Sequence, residues 1–318
     1  MERFGGKPSL YFLFMKKHLW IFPAMIALAA TLWGLDGVVL RPALYSLPVT
    51  TVVFMEHMIA FVIMIPFLIY ERKKLKQITK QGYLYFLLVA LFGGALGTLA
   101  ITKGLFYVNF SNLSAVILMQ KLQPIFAIFL AWLLLKERLP KKFFGYAILA
   151  LIGAYAVAFP ELVPNFNTGD KTTVAAMFGL LAALCWGAST VFSKGALKDT
   201  NFRIGTYLRF GFTSLIVLIF MLGTGGYTAI PSITSLQWTY LFIIIFSSGG
   251  VAMLLYYFGL KHTKASVSTI AELGLPLSAV IFEYFIHGKI MNTTQFIGAG
   301  ILLFSIIMVS RMKNAITE

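Results

Sequence analysis

Six ionisable side chains stand inside long apolar runs: Asp36, Glu56, His57, Lys121, Arg209 and Glu272. A charge in hydrocarbon costs roughly 2.5–3.5 kcal/mol on insertion scales, so such groups face a wet cavity, a ligand or one another. Lys121, in Gln120-Lys121-Leu122-Gln123-Pro124, is the most informative of them. It lies about nine residues into its run, roughly 13 Å at 1.5 Å per residue, which stretches what a snorkelling amine can relieve. Its charge either meets a solute, balances an empty cavity or is paired with Asp36 or Glu56. Glu272 offers a carboxylate whose protonation removes a buried charge as a cavity closes. A fixed pair with Lys121 or Arg209 is the rival reading. Glu56 and His57 join Glu272 as candidate proton carriers, because an imidazole titrates near neutrality and a buried carboxylate can take up a proton. Adjacent helix positions point about 100° apart, so one of Glu56 and His57 is expected to be an interhelical contact. Arg209, nearer its helix end, is expected in a charge pair or reaching the interface.

Around these charges the sequence places groups suited to holding a small molecule. Trp33 and Asp36 are three apart and share a helical face, and Trp186 and Ser189 occupy the matching face further along the chain. With Tyr256, Gln120, Lys121 and Glu272 they form the candidate substrate-binding or pathway set, against the plainer reading of lipid-facing aromatics. Enzymatic chemistry finds little support. Neither H-E-x-x-H nor G-x-S-x-G occurs, and His18, His57, His262 and His287 are scattered. The single Cys185 rules out an intrachain disulfide and a cysteine metal cluster. No metal or cofactor is expected.

The elements that position these groups are read from apolar run length. Runs able to cross about 30 Å of hydrocarbon fall at 19–43, 49–70, 83–106, 112–135, 143–162, 173–197, 204–223, 238–260, 265–287 and 293–312. The chain is also duplicated. Trp33-Gly34 recurs as Trp186-Gly187, 153 positions on, and Ser114 to Pro124 matches Ser266 to Pro276 at an offset of 152. Five runs in each copy force the second into the bilayer upside down, the inverted repeat of many secondary transporters. The expected organisation is an N-terminal interfacial segment (1–18), a first repeat (19–162), a linker (163–172), a second repeat (173–312) and a tail (313–318). Gly93, Gly94 and Gly97, and Gly298 with Gly300, are expected at close helix contacts. Pro124 and Pro276 either kink their helices or break them and expose carbonyls.

Composition agrees with a polytopic membrane protein: 59% hydrophobic, 12% charged, mean hydropathy +0.86, against roughly a quarter charged in soluble domains. The net charge of +15 does not point to nucleic acid, because the basic residues cluster between apolar runs. Of the 26 Lys and Arg, all but Arg41, Lys103, Lys121, Lys171 and Lys289 fall at one end of the runs, which predicts both termini in the cytoplasm. The first run is too long for a signal-peptide core and carries the repeated Trp33-Gly34, so it is retained.

These features resemble the drug/metabolite transporter superfamily, in its ten-helix form with two EamA-like repeats. The resemblance covers about residues 20–312 and rests on Trp33-Gly34, Trp186-Gly187, Arg209, and Pro124, Glu137, Gly145 and Gly153 in order. It implies ten helices around a central cavity, alternating access and export of small metabolites. Lys289, where copy two would carry the counterpart of Glu137, and His57, where copy one would carry that of Arg209, depart from the pattern, as do the charges of Lys121 and Glu272. The resulting expectation is an all-α carrier in the cell membrane that moves a small solute, an amino acid or other zwitterionic or amphipathic compound, with one repeat rocking against the other. Its partners are that solute, the bilayer and, in a coupled mechanism, protons. An uncoupled facilitator, a multidrug efflux carrier, a membrane scaffold or receptor and an intramembrane enzyme are the alternatives. The sequence sets no oligomeric state.

Overall fold

A computed structural model describes residues 19–107, 114–163 and 171–312. The expected N-terminal segment, the tail and most of the linker lie outside the described residues. The rest is helical. Ten segments are long and apolar enough to span a membrane: α1 (Ile21–Leu44), α2 (Val49–Tyr70), α3 (Lys80–Leu105), α4 (Val116–Leu135), α5 (Lys141–Ala158), α6 (Thr172–Leu197), α7 (Phe202–Thr224), α8 (Ser235–His262), α9 (Ala265–His287) and α10 (Thr293–Ser310). Lipid offers no partner to a backbone amide, so each span satisfies its own hydrogen bonds as a helix. Polar residues mark the starts. Thr234 with Gln237, and Asn292 with Gln295, form reciprocal capping boxes at α8 and α10. Gly225 and Gly288 end α7 and α9 in the left-handed region, at φ 73° and 66°, where a Cβ would be strained.

Hydrogen bonds between span termini establish the two ends of the bundle. At one end Glu137, after α4, meets the start of α9, and Lys194, near the end of α6, meets the end of α8. This basic end also carries Arg72, Lys73, Lys74, Arg138 and Lys264. At the other end Gln237 at the start of α8 bonds Ser46 after α1. Thr51 of α2 bonds Gly226 after α7, and Asn292 bonds Pro160 after α5.

Packing interleaves the two copies. α1 lies against α8 and α9, and its repeat counterpart α6 lies against α3 and α4; α2 pairs with α7, α4 with α9, and α5 with α10. Each of these contacts joins one copy to the other. The repeats are therefore not two separate bodies, and the expected rocking of one against the other does not match the bundle. Composite groups, α1 with α8 and α9, and α6 with α3 and α4, are the packed units.

Small residues permit the closest crossings. A Cβ on Gly153 would fall 2.7 Å from the Leu302 nitrogen and 2.8 Å from the Gly298 carbonyl oxygen, so α5 and α10 touch through backbone. Gly300 has nothing within 4 Å and faces outward, which corrects its expected role beside Gly298. Overpacking such a contact costs about 1–3 kcal/mol. Gly153→Val is expected to lower the melting temperature of the detergent-extracted protein by several degrees, and Gly300→Val to leave it in place. Equal melting of the two variants would refute the assignment of this crossing.

Five irregularities bring backbone and side chains to the centre. Wide π turns occupy Asp36–Leu40 in α1, Ala90–Leu96 in α3 and Ile245–Gly249 in α8. Those in α3 and α8 begin at equivalent places in the two copies. α4 divides into Ser114–Gln120 and Gln123–Leu135, and α9 into Ala265–Ala271 and Gly274–His287. Proline explains both breaks. Lacking an N–H, Pro124 and Pro276 cannot bond the carbonyls four residues back, which belong to Gln120 and Glu272.

Candidate functional site

A cavity of about 430 Å³ lies between the composite groups, within the size range of small-molecule sites. Its lining begins at Leu44, Tyr45, Val49 and Leu105, at the end opposite the basic one, and reaches past mid-span to Thr190, Tyr256 and Thr269 in the basic halves of their spans. The sequence candidates Trp33, Asp36, Glu56, His57, Gln120, Lys121, Trp186, Ser189, Arg209, Tyr256 and Glu272 all contribute to the wall.

The charges sort differently from expectation. Asp36 and Glu56 are paired with Arg41, whose guanidinium nitrogens approach them at 2.5 Å and 3.3 Å. Arg41 stands near the end of its apolar run, where the sequence counts it only among the few basic residues at the opposite end of the bundle. The π turn brings it in: its backbone N–H bonds the Asp36 carbonyl five residues back, stacking Arg41 over Asp36 where an α-turn would rotate it aside. Lys121, for which pairing with these carboxylates was one of three readings, has no side-chain hydrogen bond or ion pair among the described residues and lines the cavity. Glu272 is not paired with Lys121 or Arg209 either. It accepts hydrogen bonds from neutral donors, Gln123 Nε2 at 2.8 Å, Tyr256 Oη at 2.8 Å and Thr190 Oγ1 at 3.4 Å. Those bonds join the break in α9 to α4, α6 and α8.

Arg209 does not reach the interface. Its guanidinium lies 5.9 Å from the Tyr257 ring centroid, its Nε is buried without a hydrogen bond, and it forms no ion pair among the described residues. The expected charge pair is thus replaced by a cation–π contact. Glu56 and His57 both line the cavity, and His57 is also an interhelical contact of the kind expected of one of the pair. His57 donates Nδ1–H to the Val53 carbonyl at 2.8 Å and packs against Phe210.

Aromatic rings form the remaining wall. Trp33 donates its indole N–H to the Ser248 carbonyl at 3.0 Å, within the π turn of α8, and packs on Tyr256 at 5.3 Å between centroids. Trp186 lies over Gly97, where a Cβ would come within 2.6 Å of the indole nitrogen. Gly93 and Gly94 likewise admit Ser189 and Thr213. Gln120 sits beside the α4 break. Arg41, Gln123 and Thr190 were not singled out by the sequence, although Gln123 adjoins the conspicuous Lys121 and Pro124.

The basic end is closed by a layer of polar contacts. Glu137 accepts from the Ala265 and Ser266 amides at 2.7 and 3.1 Å and from the Ser266 hydroxyl at 2.6 Å, capping the start of α9. Lys194 donates to the carbonyls of Leu260 and Lys261 at the end of α8, while Lys261 donates to those of Leu197 and Thr200 at the end of α6. Ser193 meets Tyr257 at 3.0 Å, and Arg203 pairs with Glu71 at 2.5 Å. Lys289, in place of a second Glu137, pairs with Glu283 at 3.5 Å.

The EamA-like transporter family matches this chain twice, over residues 20–159 and 173–311. The chain belongs to that family. A riboflavin transporter, ImpX, of Fusobacterium nucleatum subsp. nucleatum is 43% identical over 290 residues, covering 91% of this chain and 97% of the relative. An uncharacterised transporter of Clostridium kluyveri is 26% identical, covering 95% and 96% of the two chains. A crystal structure of a protein 14% identical in sequence superimposes with a TM-score of 0.71 over 93% of this chain and 97% of that one, showing the same fold. The EamA-like chain described here is a multi-pass membrane transporter of a small metabolite.

Proposed function

We propose that this transporter carries riboflavin, or a closely related flavin, across the cell membrane by alternating access. The observation that carries the reading is the 43% identity to a riboflavin transporter along 97% of that protein's length. The cavity wall supports it. A flavin is a flat fused heterocycle with a polar edge and a polyol tail. Trp33, Trp186 and Tyr256 supply flat faces, while Gln120, Gln123 and Lys121 supply donors for ring carbonyls. The basic end is cytoplasmic on the distribution of Lys and Arg, so the cavity here is open to the outside. The mixed charges of the wall favour one second reading, an amino acid or other zwitterion.

Radiolabelled riboflavin flux into proteoliposomes, with amino acids, nucleosides and cationic drugs as competitors, tests this assignment. Saturable flux inhibited by flavins and not by amino acids is expected. Absence of flavin flux together with saturable amino-acid flux would overturn it in favour of the second reading.

A further inference from the structure

Two cations at equivalent places in the copies behave differently at the two ends. Arg41 plus the repeat offset of 153 gives Lys194. At the closed basic end, Lys194 donates to the Leu260 and Lys261 carbonyls, in the last turn of α8, at 2.9 and 2.8 Å. At the open end, Arg41 turns into the cavity and holds Asp36 and Glu56. Copy two has Ser189 and Leu208 at the positions equivalent to these carboxylates, so Lys194 lacks that choice. The triad is also short of donors. Asp36 and Glu56 are only 6% and 8% exposed; Asp36 Oδ1 is buried without a hydrogen bond, and Glu56 Oε1 has only the ion-pair contact with Arg41.

We propose that Asp36 and Glu56 form a proton-binding site that loads as the open mouth closes, an inference that rests on the alternating-access reading above. In an inverted repeat, closing this mouth gives it the arrangement the basic end has now. Arg41 then takes the place of Lys194, against carbonyls at the end of α3 near Leu105, which already lines the mouth and matches Leu260 at the offset of 155 that relates α3 to α8, from their capping residues Thr79 and Thr234 onward. Two buried carboxylates on neighbouring helices, deprived of their cation, do not both stay ionised. A proton from water at the mouth forms an O–H bond with one carboxylate oxygen as its contact with Arg41 breaks. It leaves to water at the basic end before Arg41 returns. One proton thus travels with the solute from the open side to the basic side, and an inward proton gradient drives uptake, the reverse of the export that the family resemblance implies.

The other charged or titratable groups on the wall around the triad are Tyr45 in the following turn, His57 on α2, Lys121 on α4 and Arg209 on α7; Tyr240 on α8 packs against the apolar cluster of Leu40 and Leu44, and Glu283 on α9 is committed to Lys289. His57 is the competing proton carrier, and the test separates it.

In a Cys185→Ala background, Ile101→Cys places a thiol in the mouth, and an impermeant maleimide added from that side reads its accessibility without any ligand. Labelling several-fold slower in acid than at neutral pH is expected. The Asp36→Asn, Glu56→Gln double variant, unable to hold Arg41, should label slowly at every pH. Labelling independent of pH, a pH response that survives in the double variant, or one lost in His57→Gln would each overturn the proposal. Because the double variant can fail to fold, a second measurement uses Glu56→Gln alone. Riboflavin added to proteoliposomes at the open side should acidify the lumen with the parent protein and not with this variant. Flavin flux without acidification would overturn the proton site and leave the substrate assignment standing. A pH-dependent mouth without flavin flux would support the site and overturn the substrate.

Discussion

Lys121→Met is expected to lower transport at least tenfold while leaving the extracted protein folded. The substitution keeps an apolar stem of similar length and removes only the ammonium, which pairs with no carboxylate among the described residues, while Arg41 holds Asp36 and Glu56. A hydrogen bond from a charged donor to a buried acceptor is worth about 1.5–3 kcal/mol, and about 1.4 kcal/mol is a factor of ten. Lys121→Arg should recover part of the rate. Solute flux in proteoliposomes, normalised to reconstituted protein, measures both. Normal flux in Lys121→Met would remove Lys121 from the pathway, and recovery of the variant by Glu56→Gln would make it a structural counter-charge.

Glu137→Ala should open the basic end. Its carboxylate holds three donors of α9, and without it two amides and a hydroxyl at a closed interface lose their acceptor. Charge-assisted bonds of this kind contribute about 1.5–3 kcal/mol each, enough to shift a balanced two-state carrier strongly towards its other state. The readout is maleimide labelling of Thr263→Cys, a fully buried position at that end, in a Cys185→Ala background. Labelling at least tenfold faster with Glu137→Ala is expected, and an intermediate rate with Glu137→Gln, whose amide oxygen still accepts. An unchanged rate would mean that other contacts hold the end shut.

The architecture was legible because two properties of the chain are local and strong. Run length alone reports a membrane crossing, and the paired Trp-Gly elements report duplication, from which inversion follows by the odd number of spans. The gathering of Asp36, Lys121, Arg209 and Glu272 around one cavity was legible for a related reason, since few places in a bilayer tolerate charge. What each charge touches was not. Counting Arg41 only towards topology assumed a regular helix to the end of its run, and the π turn at Asp36 breaks that assumption; Gly37 within it and Pro42 after it, which cannot bond the Val38 carbonyl, are local signals that run length does not weigh. Once Arg41 turns inward, the carboxylates offered as alternative partners of Lys121 are taken. Glu56 and His57 line one cavity from adjacent positions, with His57 turned far enough to pack against Phe210 of α7. The pairing of spans was hidden because a repeat says which segments are equivalent and not which are in contact.

That interleaving reaches back to how such a chain arises. α1 emerges from the ribosome long before α8 and α9, the helices it packs against, so the first copy enters the bilayer with its main contact faces unfilled. A five-helix half alone would carry the same deficit, and the faces it leaves open are those that a second copy, inserted the other way up, fills here. With both copies in one chain each keeps a single orientation, so Asp36 and Glu56 can stand in one half while Ser189 and Leu208 stand in the other.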